Sequence, residues 1–161
     1  MKDNLLKIDR MRFVKNKTSA NLAYLAIIFN VLYFISIYSS DIGNYYYTIL
    51  IGVSVVYNLL FLLIAFLSSE GLKNYKFSYA IIITVIGLLQ LVRIFGFPAD
   101  ASRTVLSDGE CVMHTGQFVY TVIMLSLSAA AAIASGVIGI VRTTILEKYQ
   151  ASLPEESKQP H

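Results

Sequence analysis

Four long apolar runs, separated by short polar breaks, make up most of this 161-residue chain. The clearest is YYYTILIGVSVVYNLLFLLIAFLSS, residues 45–69, with no charged side chain between Tyr46 and Ser69. A helix rises 1.5 Å per residue, so about 20 such residues cross a ~30 Å hydrocarbon core. Lipid offers the backbone no hydrogen-bond partner, so a run of this kind is predicted to be a helix. The spans are placed at 20–38, 46–68, 77–97 and 117–141. They are joined by DIGN (41–44), by SSEGLKNYK (68–76) and by a longer outer loop, 98–116. A basic arm, 1–19, precedes them and a polar tail, 142–161, follows. Short connections make neighbouring helices antiparallel, so the expected fold is an all-α membrane protein, a four-transmembrane-helix antiparallel bundle.

Composition agrees. Charged residues are 14% of the chain, against about 25% in soluble domains, and mean hydropathy is +0.63. Placement of the charge is more informative than its sum. The arm holds six Lys/Arg, the loop 68–76 holds Lys73 and Lys76, and the tail holds Arg142, Lys148 and Lys158. With the N-terminus inside, eleven basic residues face the cytoplasm and one, Arg103, faces out. The positive-inside rule then puts both termini in the cytoplasm. Within the arm, Leu5, Ile8, Met11, Phe13 and Val14 recur at roughly helical spacing. That suits either a basic amphipathic helix on anionic lipid or a solvated tail that only fixes orientation. No small-x-small site follows the first run, so a cleaved signal peptide is not expected. Tyr45, Tyr46 and Tyr47 are placed at the outer interface, and Tyr75, Phe77 and Tyr79 at the inner one.

Polar side chains inside the runs are the candidates for chemistry. Asn30 and Asn58 lie near mid-span, in segments that align at an offset of 28 residues (Ile27–Ile35 and Val55–Leu63). An amide in hydrocarbon needs a partner, and at similar depth these two are expected to bond each other across the first hairpin. The functional alternative is a polar position on a permeation path. Gln90 and Arg93, three apart, share a helical face. Arg93, near the outer end, is expected to snorkel to headgroups, to pair with Asp108 or Glu110 of the outer loop, or to meet a partner protein. In the last run Ser128, Ala132 and Gly136 recur every four residues, and Ala131, Ser135 and Gly139 repeat the spacing on the adjacent face. Small residues let helices approach closely in lipid. One such face suffices within a bundle, so the second predicts contact with a partner chain.

Other chemistry is thinly represented. Cys111 and His114 have the spacing of half a zinc hook, but no second Cys/His pair exists and no metal site is expected. A Cys–His nucleophile would need an orienting third group and an enclosed pocket. A lone cysteine can at most cross-link two chains. No Walker loop, HExxH, GxSxG or intramembrane carboxylate pair occurs. No catalytic residue and no cofactor are expected, and nucleic acid is not a partner.

The segments KIDRMRFVKNKTSANLAYLAIIFNVLYFISIY, SDIGNYYYTILIGVSVVYNLL, FLSSEGLKNY and RIF resemble, over roughly residues 7–98, a group of small uncharacterised four-span membrane proteins of Gram-positive anaerobic bacteria. That group tends to be encoded beside ABC-type sugar importers. The resemblance implies a bacterial cytoplasmic-membrane protein serving a transporter, and carries over no functional residues. The expectation is a non-enzymatic accessory or assembly subunit whose partners are the lipid bilayer and another membrane protein, an ABC transporter permease for example, or a second copy of itself. Two alternatives stand: a homo-oligomeric small-solute transporter or channel lined by Asn30, Asn58 and Gln90, and a membrane enzyme on a lipid-like substrate built from Arg93, Asp108, Glu110 and His114.

Overall fold

The computed structural model describes residues 2–38, 45–107 and 109–153. Six helices follow one another: α1 (Lys2–Met11), α2 (Lys17–Ile37), α3 (Tyr45–Lys73), α4 (Phe77–Ile94), α5 (Phe97–Arg103) and α6 (Thr115–Ala151). Four segments are long and apolar enough to cross a membrane, and α2, α3, α4 and α6 form the antiparallel four-helix bundle that the apolar runs predict. Around the bundle each long helix touches its two antiparallel neighbours, in the order α2, α3, α4, α6. The closest packing is that of α6 on α4 and α2.

That closeness has its cause in side-chain size. Ser128, Ala132, Ser135, Gly136 and Gly139 are all buried against the neighbouring helices. The Ser128 hydroxyl donates to the Ala26 carbonyl at 2.9 Å, and the Ser135 hydroxyl to the Ser19 carbonyl at 2.7 Å. A Cβ added at Gly136 would lie 2.0 Å from Thr84 Oγ1 and 2.7 Å from the Ala80 carbonyl oxygen. At Gly139 it would meet Leu72 and Ala80. Ala131 is buried in the same apolar cluster as Ala132. Both small-residue faces are therefore covered within this chain: Ser128 and Ser135 bond α2, while Gly136 and Gly139 abut α4. The second face, expected to meet a partner chain, is filled from within this one: Ser135 and Gly139 are buried against its own neighbouring helices.

One end of the bundle carries α1, the end of α6 and most of the described basic residues. Here Asn16, 1% exposed, holds three elements together. Its side-chain oxygen caps α2 by accepting from the Ser19 N–H (3.4 Å), its backbone N–H donates to the Lys73 carbonyl that ends α3 (3.0 Å), and its oxygen also accepts from Arg142 of α6 (2.7 Å). An ion pair of Lys73 with Glu70, bridged by the Tyr24 hydroxyl, adds a second α2–α3 staple. α6 does not stop at Arg142 but runs on to Ala151. Glu147 and Lys148 are exposed there, while Thr143 and Leu146 stay buried, so the polar composition after Arg142 marks an exposed helix face rather than a tail. α1 packs on this extension, so the N-terminal arm contains a helix from Lys2 to Met11.

The opposite end is capped. Residues 98–116 are not a polar excursion. α5 and the connection after it fold back, with the Val112 N–H donating to the Thr104 carbonyl and the Met113 N–H to the Ala101 carbonyl, both at 3.1 Å. The reversal at Leu106–Glu110 contains Gly109 at φ 88°, a left-handed position that suits glycine. Ala101, Val112 and Met113 bury Tyr47, whose hydroxyl bonds Thr104. Tyr47 thus leaves the interfacial belt expected of it, whereas Tyr46 is exposed.

Candidate functional site

Two apolar clusters fill the bundle. One, toward the basic end, includes Ala26, Phe61, Ile83 and Ile86; the other, toward the cap, is built on Tyr33, Ile37, Ile51 and Leu125. Between them lies a polar layer. Asn30, Asn58 and Gln90 are each 0% exposed. The Gln90 amide donates to Asn30 Oδ1 at 2.7 Å, and Arg93 donates to Asn58 Oδ1 at 2.8 Å and to Gln90 Oε1 at 3.4 Å. The four sequence candidates of spans one to three thus form one continuous network. The expected bond between Asn30 and Asn58 is not made. Both amides instead accept from α4, whose Gln90 reaches across the bundle to α2, and Nδ2 of each asparagine has no partner among the described residues.

Arg93 is the centre of the layer. Its second guanidinium nitrogen donates to the Ser54 hydroxyl at 2.5 Å and to the Ser54 carbonyl at 3.2 Å. The rings of Tyr33 and Tyr57 lie on the guanidinium, each with its centroid 4.5 Å from the central carbon. Two cation–π contacts in a desolvated place are worth about 2 kcal/mol each. Arg93 therefore does not snorkel outward. Helical side chains lean toward the helix N-terminus, and α4 begins at the basic end, so its arginine is aimed back into the bundle. Ser54 and Asn58 are nine and thirteen residues into α3, about 14 and 20 Å from its start. Among the described residues no carboxylate contacts Arg93; the ion pairs are Arg12–Asp9 and Lys73–Glu70, both at the basic end. Asp108, one proposed partner, lies outside the described residues, and Glu110 belongs to the cap.

Every acceptor around the guanidinium is neutral, so its charge is dispersed but not cancelled. Arg93 is only half-buried. A cation held in this way, in low dielectric, attracts an anion more strongly than it would in water. It offers no general base and no nucleophile. Tyr33, Ser54 and Tyr57 were not identified from the sequence as members of the site. The signal was their spacing: Ser54 stands four residues before Asn58 and three before Tyr57, and Tyr33 stands three after Asn30.

The remaining candidates stay apart from this layer. Cys111 is a free, half-buried thiol in the cap, paired by backbone with Val105, and His114 precedes α6. No group of three or more His, Cys, Asp or Glu side chains among the described residues is placed to hold a metal ion. On the α3 surface an apolar groove of about 480 Å³ is lined by Ile49, Gly52, Val53, Val56, Tyr57 and Leu60. Its Tyr57 is the same ring that stacks on Arg93.

The fold and the four apolar helices define a multi-pass, all-α membrane protein. No family model, no curated protein and no solved structure matches the chain.

Proposed function

We propose that the protein is a non-enzymatic accessory subunit of a larger membrane complex, which docks laterally through α3 and offers Arg93 to a carboxylate within a partner's membrane span. One observation carries the reading: a half-buried guanidinium held in mid-bundle by neutral groups, with no carboxylate against it among the described residues. An intramembrane arginine is costly, and an acidic side chain from a second protein would offset that cost. The groove on α3 gives a partner helix a place beside Tyr57, which covers the guanidinium. The membrane is taken to be the cytoplasmic membrane of a bacterium, with both termini inside, from the charge asymmetry and the resemblance of residues 7–98. That resemblance makes the permease of an ABC-type sugar importer the first partner to test. The enclosure of Asn30, Asn58 and Gln90 speaks against the channel reading, since a water path would expose them.

The test places a photo-crosslinking amino acid at Val56, in the groove, in native membranes. Adducts with a second membrane protein that vanish in the Arg93→Gln variant support the reading. Absence of adducts, adducts only with another copy of the chain, or adducts indifferent to Arg93→Gln would refute it.

A further inference from the structure

At the basic end, a cavity of about 420 Å³ opens between α1, the start of α2, the α3–α4 turn and α6. Its size is within the roughly 300–1,000 Å³ of small-ligand sites. Five cationic side chains line it, Lys7, Arg10, Lys15, Lys17 and Arg142, and no acidic one does. Its apolar wall is Met11 and Val14. Four of the cations come from the basic arm, residues 7–17, and the fifth, Arg142, is brought against them from α6, while Tyr75 of the α3–α4 turn completes the lining.

Two features show that the cavity is built rather than incidental. Arg142 is fixed by the buried Asn16 at 2.7 Å, through a neutral amide that orients the guanidinium and leaves its charge uncancelled. Tyr75 lines the same cavity with φ 53°, the left-handed position after a helix where glycine would sit without strain. The strained tyrosine is tied down by its hydroxyl, which donates to the Val14 carbonyl at 3.1 Å and so pins the arm over the α3–α4 turn. Burial raises the Tyr75 phenol above its ordinary value and the Arg142 guanidinium opposes the rise, which places the two within electrostatic reach of each other.

We infer that this cavity binds the phosphodiester headgroup of one anionic phospholipid. The occupant is a lipid because of where the cavity lies. It sits at the basic end, where the apolar run of α2 begins, and beside it Leu5, Leu6, Phe13 and Val14 are exposed on the arm. An arm with basic and apolar sides rests at headgroup depth with its apolar residues among the acyl chains. The phosphate meets Arg142 and the lysines, while the glycerol and chain ends lie along Met11 and Val14. The arm then closes over a bound lipid as one wall of the site.

The experiment uses the full-length protein in neutral detergent, delipidated and titrated with phosphatidylglycerol or phosphatidylcholine, with bound lipids counted by native mass spectrometry. One phosphatidylglycerol should bind where phosphatidylcholine does not. Lys7→Gln with Arg10→Gln, on the arm and outside the bundle's packing, should weaken binding roughly 25-fold for the two charges. Arg142→Gln should weaken it too, and Arg103→Gln at the capped end should leave it unchanged. A large excess of inorganic phosphate should not displace the lipid. Equal binding of both lipids, or wild-type binding by the arm variant, would overturn the inference. Displacement by phosphate alone would assign the cavity to a soluble phosphorylated ligand instead, and the lipid assignment would fail.

Discussion

Asn30 and Asn58 act through different neighbours, and this has a measurable consequence. Asn30 is coupled to Gln90, and Asn58 to Arg93. Asn30→Leu and Gln90→Leu should each cost about 0.6–2 kcal/mol, and the double variant less than their sum, because each single change strands a buried polar group. Asn30→Leu and Asn58→Leu, joined only through Gln90 and Arg93, should couple more weakly than Asn30→Leu and Gln90→Leu do. Unfolding in mixed micelles gives both cycles, and strong coupling between the two asparagines would contradict the network. Arg93 should behave differently. Arg93→Met removes a desolvated charge with no counter-ion while leaving Ser54 and Asn58 one donor short, and the two effects nearly offset. The isolated protein should then shift by only about 1–2 kcal/mol, while partner contact at Val56 is lost. A loss of 4 kcal/mol or more would mean that the arginine is chiefly internal glue. The members of this layer were legible as polar residues in apolar runs. Their partners were not, because spacing within one helix gives a face but not what crosses to meet it. The direction of Arg93 was obscured for a related reason: distance from Pro98 measures where the backbone is, not where a seven-atom side chain ends.

At the scale of the helix, α6 shows what pattern reading can and cannot resolve. Its small-residue faces were legible, and so was their tendency to bring backbones close. Whether the neighbour was this chain or another depended on how many helices surround α6, which no property of α6 encodes. Gly136→Ala tests the packing. The new methyl would collide with Thr84 and with a backbone carbonyl that cannot move aside, so destabilisation of about 1–3 kcal/mol is expected. Gly52→Ala in α3 is the matching control. Nothing lies within 4 Å of its Cβ, so only helix propensity changes, and a gain of about 0.5–1 kcal/mol is expected. Equal melting temperatures for the two variants would show that α6 is not closely packed on α4. Span boundaries were legible to within a few residues except at the end of α6, where Arg142 was read as leaving the membrane. The helix continues past it because Thr143 and Leu146 still have a surface to cover.

At the scale of the whole molecule, the polar layer is closed on both sides: by an apolar cluster toward the basic end, and by a second cluster and the α5 cap toward the other. Asn30, Asn58 and Gln90 are thereby sealed from both ends of the bundle. Orientation decides which compartment sees each end, and the chain carries its own probe in a single cysteine, Cys111, in the cap. With eleven Lys/Arg assigned to the opposite side, inversion would carry them all across the membrane, at about 2.3 kcal/mol per charge for each 100 mV of potential opposing the transfer. A membrane-impermeant maleimide should therefore label Cys111 in intact cells. In a Cys111→Ser background, a cysteine replacing Ser152 at the end of α6 should react only after permeabilisation. The reverse pattern would place the Lys7–Arg142 cavity outside the cell, against a leaflet that lacks the anionic surface potential its charges are suited to, and the lipid assignment would have to be withdrawn along with the topology.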